Sequence, residues 1–207
     1  LLHVPVLVYL PDIEPALTIR VLRYFARQVA ITVPESAAYF RPGQAVVTGY
    51  PLRADRTTAT RDEALRFFNL DPDRRTLLVF GGSRGARSIN SALLAMLPQL
   101  LGDGVQVIHL TGTLDWPRVQ SELDGMALDD GYHPYPYLHD EMGLAYAAAD
   151  LVLCRAGAST LGELPYFRLP SILVPYPHAW HYQRVNADYL AERGAAAMDV
   201  QLAVRRG

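Results

Sequence analysis

Short, wholly apolar runs alternate along this chain with stretches in which apolar residues recur three and four positions apart. These are the periods of buried strands and of helices packed against them. The run Leu77-Leu78-Val79-Phe80 suits a strand covered on both faces of a parallel sheet. It passes through Gly81-Gly82-Ser83-Arg84-Gly85-Ala86 into a stretch with Ile89, Leu93, Leu94 and Leu97 at helical spacing. Upstream, the pattern predicts a strand over 4–9, a helix over 17–27, a strand over 29–33, a short helix over 34–39 and a strand over 45–48. Thr60 and Glu63 have capping-box spacing, which predicts a helix ending near Asn69, before Asp71-Pro72. Downstream, strands are predicted at 105–110, 132–135, 151–154, 171–174 and 196–199, with helices at 114–123, 142–148, 159–166 and 181–193 between them. Repeated βα units of this kind predict an α/β fold of doubly wound parallel sheets, with ligands at the carboxyl ends of the strands. The polar stretch 53–75 is the expected linker between the end of one domain, 1–52, and a second domain, 76–207.

Composition narrows the classes. The chain has 207 residues, half of them hydrophobic, enough for one large or two smaller α/β units with real cores. A net charge of −2 and a pI near 6.3 argue against nucleic acid as a partner, because phosphate-backbone binding needs a basic excess. One cysteine, Cys154, allows no internal disulfide and no zinc site of its own, which fits a reducing compartment. No apolar run approaches the roughly 18 residues of a membrane span, and no signal-peptide pattern opens the chain. It begins with Leu1 and enters a strand-like run at once, which predicts a fragment cut at its N-terminus, with the C-terminus open to the same reading.

Three loops carry candidate chemistry. Gly81 to Ala86 joins a strand to a helix N-terminus, where unpaired amides and the helix dipole favour an anion, and Ser83 adds a hydroxyl. Alone it fits a structural turn equally well, since it lacks both the P-loop ending and the dinucleotide spacing. Arg155-Ala156-Gly157-Ala158-Ser159-Thr160 repeats the arrangement after a neighbouring strand, with Glu163 in the first turn of the following helix. Glu163 reads either as a carboxylate favoured by the dipole or as a ligand for ribose hydroxyls. Two anion cradles and a carboxylate together suit a nucleoside diphosphate. The third loop, Pro175 to Ala187, holds His178, His181, Gln183 and Asn186, side chains able to bind sugar hydroxyls. Its histidines lack a neighbouring carboxylate or cysteine, which argues against a metal site. Asn186 reads alternatively as a tie between helix and sheet.

Gly81 to Ala86, Asp140-Glu141-Met142 ahead of Ala145-Tyr146 and Ala149-Asp150, Arg155 to Thr160 with Glu163, and His178 with Gln183, Asn186 and Ala187 resemble glycosyltransferase family 28. Within that family the resemblance is to the bacterial peptidoglycan N-acetylglucosaminyltransferases, in register from about Val4 to Ala196. Gly49-Tyr50-Pro51-Leu52-Arg53 looks like the family's Gly-Asn-Pro-Val-Arg linker motif. The resemblance implies a GT-B fold, with two Rossmann-like domains facing across a cleft and the donor held mainly by the C-terminal one. It implies inverting transfer of N-acetylglucosamine from UDP-GlcNAc to the 4-hydroxyl of an undecaprenyl-linked muramoyl-pentapeptide, with no cofactor and no metal. Carried over position by position, Ser83 would contact a phosphate and Leu138 would offer its backbone to uracil. Ala158, Ser159 and Thr160 would line the diphosphate and sugar. Glu163 would take the ribose hydroxyls, Gln183 the hydroxyls of GlcNAc, and Arg53 would reach the nucleotide from the linker. A lipid-linked acceptor implies peripheral contact with the cytoplasmic face of the cell membrane. Arg20, Arg23 and Arg27 beside apolar residues read first as a solvated helix face, with such a surface as the second reading.

Two departures bear on the exact sugar and the acceptor. Tyr9-Leu10-Pro11-Asp12 stands where the family has His-Glu-Gln-Asn, and Tyr182 stands where it has His or Gln. The family's glycine-rich loop ending in His, which would supply the acceptor side, is absent, so no catalytic base is assigned and the isolated chain is expected to be inactive. A divergent family member with another lipid or glycan acceptor is the alternative, as is a non-catalytic UDP-sugar-binding subunit. A nicotinamide oxidoreductase would share the sheet, but no acidic residue closes a dinucleotide site about 20 residues after Gly81.

Overall fold

The computed structural model describes residues 4–82, 84–124, 126, 130–177 and 182–198. It contains two parallel sheets. The first has the order β1 (Leu7–Leu10), β2 (Gln28–Ile31), β3 (Ala45–Val47). Helix α1 (Leu17–Leu22) joins β1 to β2, and a 3-10 turn, Pro34–Tyr39, joins β2 to β3. Two short helices follow, α2 (Ala54–Thr57) and α3 (Arg61–Phe68). The second sheet is built from β4 (Arg75–Phe80), β5 (Val105–Leu110), β6 (Tyr132–Tyr135), β7 (Leu151–Cys154), β8 (Ser171–Leu173) and β9 (Ala196–Met198). Its order is β6-β5-β4-β7-β8-β9, and every pairing is parallel. The connecting helices are α4 (Arg87–Gly102), α5 (Trp116–Leu123), α6 (Met142–Ala148), α7 (Thr160–Phe167) and α8 (Tyr182–Glu192).

The unbroken apolar run of β4 has a direct cause, because alternate residues face opposite sides of the sheet. Leu77 and Val79 join Ile89, Leu93, Leu94 and Leu97 of α4 and Val119 of α5 in one core. Leu78 points the other way, into a core with Phe68, Tyr146, Leu164 and Leu190 from α3, α6, α7 and α8. Pro134 is tolerated in β6 because that strand lies at the sheet edge, where a missing N–H breaks no ladder bond.

Helix α3 has the expected capping box. The Glu63 N–H donates to Thr60 Oγ1 and the Thr60 N–H to the Glu63 carboxylate, while Asn69 closes the helix with a positive φ. Ala64 and Phe68 enter the core of the second sheet, and Arg61 donates to Ala148 O and pairs with Asp150. Helix α1 stops at Leu22, short of the expected 27. Gln44 Nε2 donates to Arg23 O at 2.6 Å and Ala26 O at 3.1 Å, so a distant side chain takes two carbonyls in the stretch where the helix was expected to continue. Helix α2 was not anticipated in the polar stretch after Arg53, because four residues are too few to show a period.

The first sheet meets the second unit through the loops at its carboxyl edge. Ile13 and Val33 are buried in the same core as Ala187 and Leu190 of α8, and Arg193 pairs with Glu35.

Candidate functional site

Strand register builds the site. Phe80 at the end of β4 is level with Leu110 of β5 on one side and Cys154 of β7 on the other. Leu110 is level with Tyr135, and Cys154 with Leu173, so five strands end in one plane and release their loops on the same side. From β4 the chain moves outward to β5 and β6, then returns to place β7 on the other side of β4. The loops after β4 and β7 therefore diverge, opening the crevice in which α/β sheets bind ligands. A cleft of about 840 Å³ occupies it, lined by the glycine loop, Ser88, Arg155, Ser159, Thr160 and Gln183.

The glycine loop is shaped by close backbone contact. Gly82 and Gly85 have φ of 90° and 79°, and the Gly85 N–H donates to Gly82 O at 2.9 Å. Gly85 lies against Gly112, φ 80°, in the loop after β5. A Cβ on either would strike the backbone of the other loop. Gly112 was missed from the sequence, although its place two residues after the apolar run 105–110 was the available signal. Arg84 and Arg87 line the cleft beside this loop. Across it, Arg155 donates to Val174 O at 3.1 Å and to Ser88 Oγ at 3.0 Å, tying the loops after β7 and β8 to the start of α4.

Of the expected site residues, Ser159, Thr160 and Gln183 line this cleft. The Thr160 hydroxyl donates to Gly157 O at 2.6 Å, closing the turn that starts α7. The N–H groups of Thr160, Leu161 and Glu163 are bonded back to Gly157, Ala158 and Ser159. Those of Ala158 and Ser159 have no partner among the described residues. Ala158, the other residue expected in this turn, does not line the cleft. Gln183 Oε1 accepts the Tyr176 N–H at 2.8 Å, which fixes the side chain at the cleft wall.

Leu138 and Glu163 line a smaller cavity of about 150 Å³, which shares Phe80, Gly82 and Ser159 with the cleft. Both are buried. Arg53 lies outside both cavities, paired at 2.8 Å with Asp140, two residues beyond Leu138. Gly162 is bare because the side chain of Tyr50 lies directly on it, so the Gly49-Tyr50-Pro51 segment packs on α7 one residue from Glu163. Asn186 ties helix to sheet. Its Nδ2 donates to Asp12 Oδ1 at 2.8 Å and to Ala156 O at 3.2 Å, and its Oδ1 accepts the Ile13 N–H at 3.4 Å. Ser83, His178 and His181 lie outside the described residues. Among the described residues no cluster of three or more His, Cys, Asp or Glu side chains could hold a metal ion.

A buried polar chain supports the cleft from below. Asn90 Nδ2 donates to Thr111 O at 2.8 Å and Asp115 Oδ2 at 2.7 Å, so its Oδ1 is left to accept from His109 Nε2 at 3.0 Å. His109 Nδ1 then accepts from the Tyr132 hydroxyl at 2.8 Å, which sets the neutral tautomer. Asp115 is held far below the usual carboxylate range, chiefly by its two hydrogen bonds from Arg118.

Burial pushes the His109 imidazolium down to a pKa of about 4. An unfolded histidine takes up its proton below about 6.5, and the folded one does not until about 4. The contribution is therefore complete above about pH 6.5, and roughly 3 kcal/mol is lost as pH falls to about 4. Urea unfolding at pH 7.5 and 4.5 should show most of that loss, and His109→Gln should flatten the difference. An equally steep loss in the variant would remove His109 as its source.

The comparisons agree with this architecture. The Glycosyltransferase family 28 C-terminal domain matches residues 76–204. A UDP-N-acetylglucosamine--N-acetylmuramyl-(pentapeptide) pyrophosphoryl-undecaprenol N-acetylglucosamine transferase of Desulforamulus reducens is 42% identical over 202 residues, covering 94% of this chain and 54% of the relative. The enzyme of the same name from Chlorobium luteolum is 48% identical over 189 residues, covering 89% and 49%. The chain thus spans about half the length of the curated relatives it matches. The crystal structure of Acinetobacter baumannii MurG superimposes with a TM-score of 0.71 at 28% identity, over 96% of this chain and 54% of that one. The paired parallel α/β sheets are of the GT-B type found in that neighbour. With a cleft at the switch point of its second sheet and the family domain matched across that sheet, this chain belongs to glycosyltransferase family 28.

Proposed function

We propose that the chain is the donor-binding part of an inverting glycosyltransferase. The reaction is transfer of N-acetylglucosamine from UDP-GlcNAc to the 4-hydroxyl of an undecaprenyl-linked muramoyl-pentapeptide, converting lipid I to lipid II in peptidoglycan synthesis. The observation that carries the reading is the convergence of two strand-to-helix loops and one buried carboxylate at the ends of β4 and β7. In this reading residues 76–207 hold UDP-GlcNAc, 53–75 link them to the acceptor side, and 1–52 are the end of the acceptor-side domain.

The uracil enters the smaller cavity against the backbone of Leu138, and Glu163 accepts the ribose hydroxyls. The diphosphate lies between the glycine loop with Ser83 and the amides of Ala158 and Ser159, beside Thr160. Gln183 takes the sugar hydroxyls, and Arg53 flanks the nucleotide from the linker. As the glycosidic bond breaks, negative charge grows on the departing UDP. Oriented amides at the starts of α4 and α7 with Arg84, Arg87 and Arg155 around them would stabilise that charge without a metal, and a fixed donor array needs little reorganisation as the charge forms. The base that deprotonates the acceptor belongs to the other side of the cleft. The lipid acceptor places the working enzyme on the cytoplasmic face of the cell membrane as a peripheral protein; among the described residues no helix is long and apolar enough to cross it.

A second reading, another lipid or glycan acceptor, is favoured by the end of β1 and the loop that follows it. Tyr9 bonds Thr32 at 3.0 Å, Leu10 is buried, and Asp12 bonds Asn186, so these residues serve internal contacts.

Calorimetric titration with UDP, UDP-GlcNAc, UDP-galactose and NAD tests the donor assignment. Binding of UDP and UDP-GlcNAc, weaker binding of UDP-galactose and none of NAD are expected. A folded chain that ignores all uridine nucleotides, or prefers NAD, would overturn it.

A further inference from the structure

Glu163 on α7 is buried beside a residue the reading above leaves without a role. Tyr146, from α6, is 2% exposed and directs its hydroxyl at Glu163 Oε2, 2.9 Å away. The tyrosine ring cannot swing freely. It stacks on Phe167 with centroids 5.1 Å apart and 29° between planes, and meets Phe80 edge-on at 6.0 Å. Phe80 ends β4, so the phenol is referenced to the same strand that launches the glycine loop. The Glu163 N–H donates to Ser159 O at 2.8 Å, which anchors its backbone to the other anion loop.

We propose that Tyr146 is a positioning residue that orients the Glu163 carboxylate for the vicinal hydroxyls of a ribose, an inference that rests on the donor-site reading above. A glutamate side chain loses rotamer freedom when it binds in one orientation, and a ring already clamped in the core lowers that loss. A carboxylate offers about four acceptor positions, so accepting one phenol hydrogen leaves capacity for two sugar hydroxyls. Glu163 and Tyr146 both line the smaller cavity, with Leu138 beside them, so a pyrimidine and its ribose would meet the pair together.

The test compares UDP with 2′,3′-dideoxy-UDP by calorimetry in the wild type, Tyr146→Phe, Glu163→Gln and Phe167→Leu, each checked by its melting curve. Tyr146→Phe keeps the ring and removes only the hydroxyl. The wild type should prefer UDP by roughly tenfold or more, the scale of a hydrogen bond to a charged group. Tyr146→Phe should reduce that preference to about threefold or less while leaving dideoxy-UDP affinity unchanged, since only the oriented hydroxyl contacts are lost. Phe167→Leu loosens the clamp on the ring and should lower the melting temperature and remove part of the preference. Equal weakening toward both nucleotides in Tyr146→Phe would mean a structural role and overturn the inference. So would an intact preference in Tyr146→Phe when Glu163→Gln has lost it, with the donor site left standing. A wild type that binds no UDP would overturn the donor-site reading and this inference with it, and one that binds both nucleotides equally would overturn the assignment of Glu163 to the ribose and with it this inference.

Discussion

Replacing Gly112 by valine is expected to lower stability by about 2–5 kcal/mol, from the left-handed backbone and the crowding together, and to abolish UDP binding. Gly112 sits at φ 80° with its Cα against the backbone of Gly85, so an added side chain must push the two loops apart. One of those loops forms a wall of the cleft. Gly194 supplies the control, because its φ is 70° but, among the described residues and apart from its chain neighbours, no atom lies within 4 Å of where a Cβ would stand. Gly194→Val should therefore lose only the backbone part, about 1–2 kcal/mol, and leave nucleotide binding intact. Thermal melts and UDP titrations on the two variants check both statements. Equal melting temperatures and equal affinities would mean that the contact between the loops after β4 and β5 does not shape the cleft.

Glu163→Ala is expected to weaken UDP binding by about 1–3 kcal/mol, or roughly 5- to 150-fold, the usual loss when hydrogen bonds to a charged group are removed. Stability should fall too. The Tyr146 hydroxyl loses a buried acceptor, and the start of α7 loses a carboxylate favoured by the helix dipole, worth about 0.3–1 kcal/mol by itself. Affinity is therefore read at a temperature where the variant is fully folded. The binding deficit should disappear when dideoxy-UDP replaces UDP, because the lost contacts are to the ribose. Unchanged UDP affinity in a folded variant would reduce Glu163 to a helix-capping carboxylate.

Much of the second sheet follows from local pattern. Strands β5, β6 and β7 and helix α6 have the bounds read from the sequence; β7 is an apolar run, β5 a mostly apolar one and α6 a helical stretch, each closed by nearby turn residues. Glycine after an apolar run and Ser-Thr ahead of a helix likewise mark the two loops that line the cleft by chemistry that acts over a few residues. Where a distant side chain intervenes, the local pattern fails: α1 stops at Leu22, and Gln44, more than twenty residues on, takes the carbonyls of Arg23 and Ala26.

The sequence by itself determined the βα rhythm, the family motifs and their positions at strand ends. The tertiary structure decided which loops face one another. Strand order placed β7 beside β4, across more than seventy residues, and made one cleft of two separate motifs. The same packing set Gly112 against Gly85, Tyr50 on Gly162, Tyr146 at the carboxylate of Glu163, and Asn90 between His109 and Asp115. Periodicity and turn chemistry arise between neighbours in the chain, and one sequence displays them directly. Contacts across the sheet depend on strand order and register, which arise from the burial of many side chains at once.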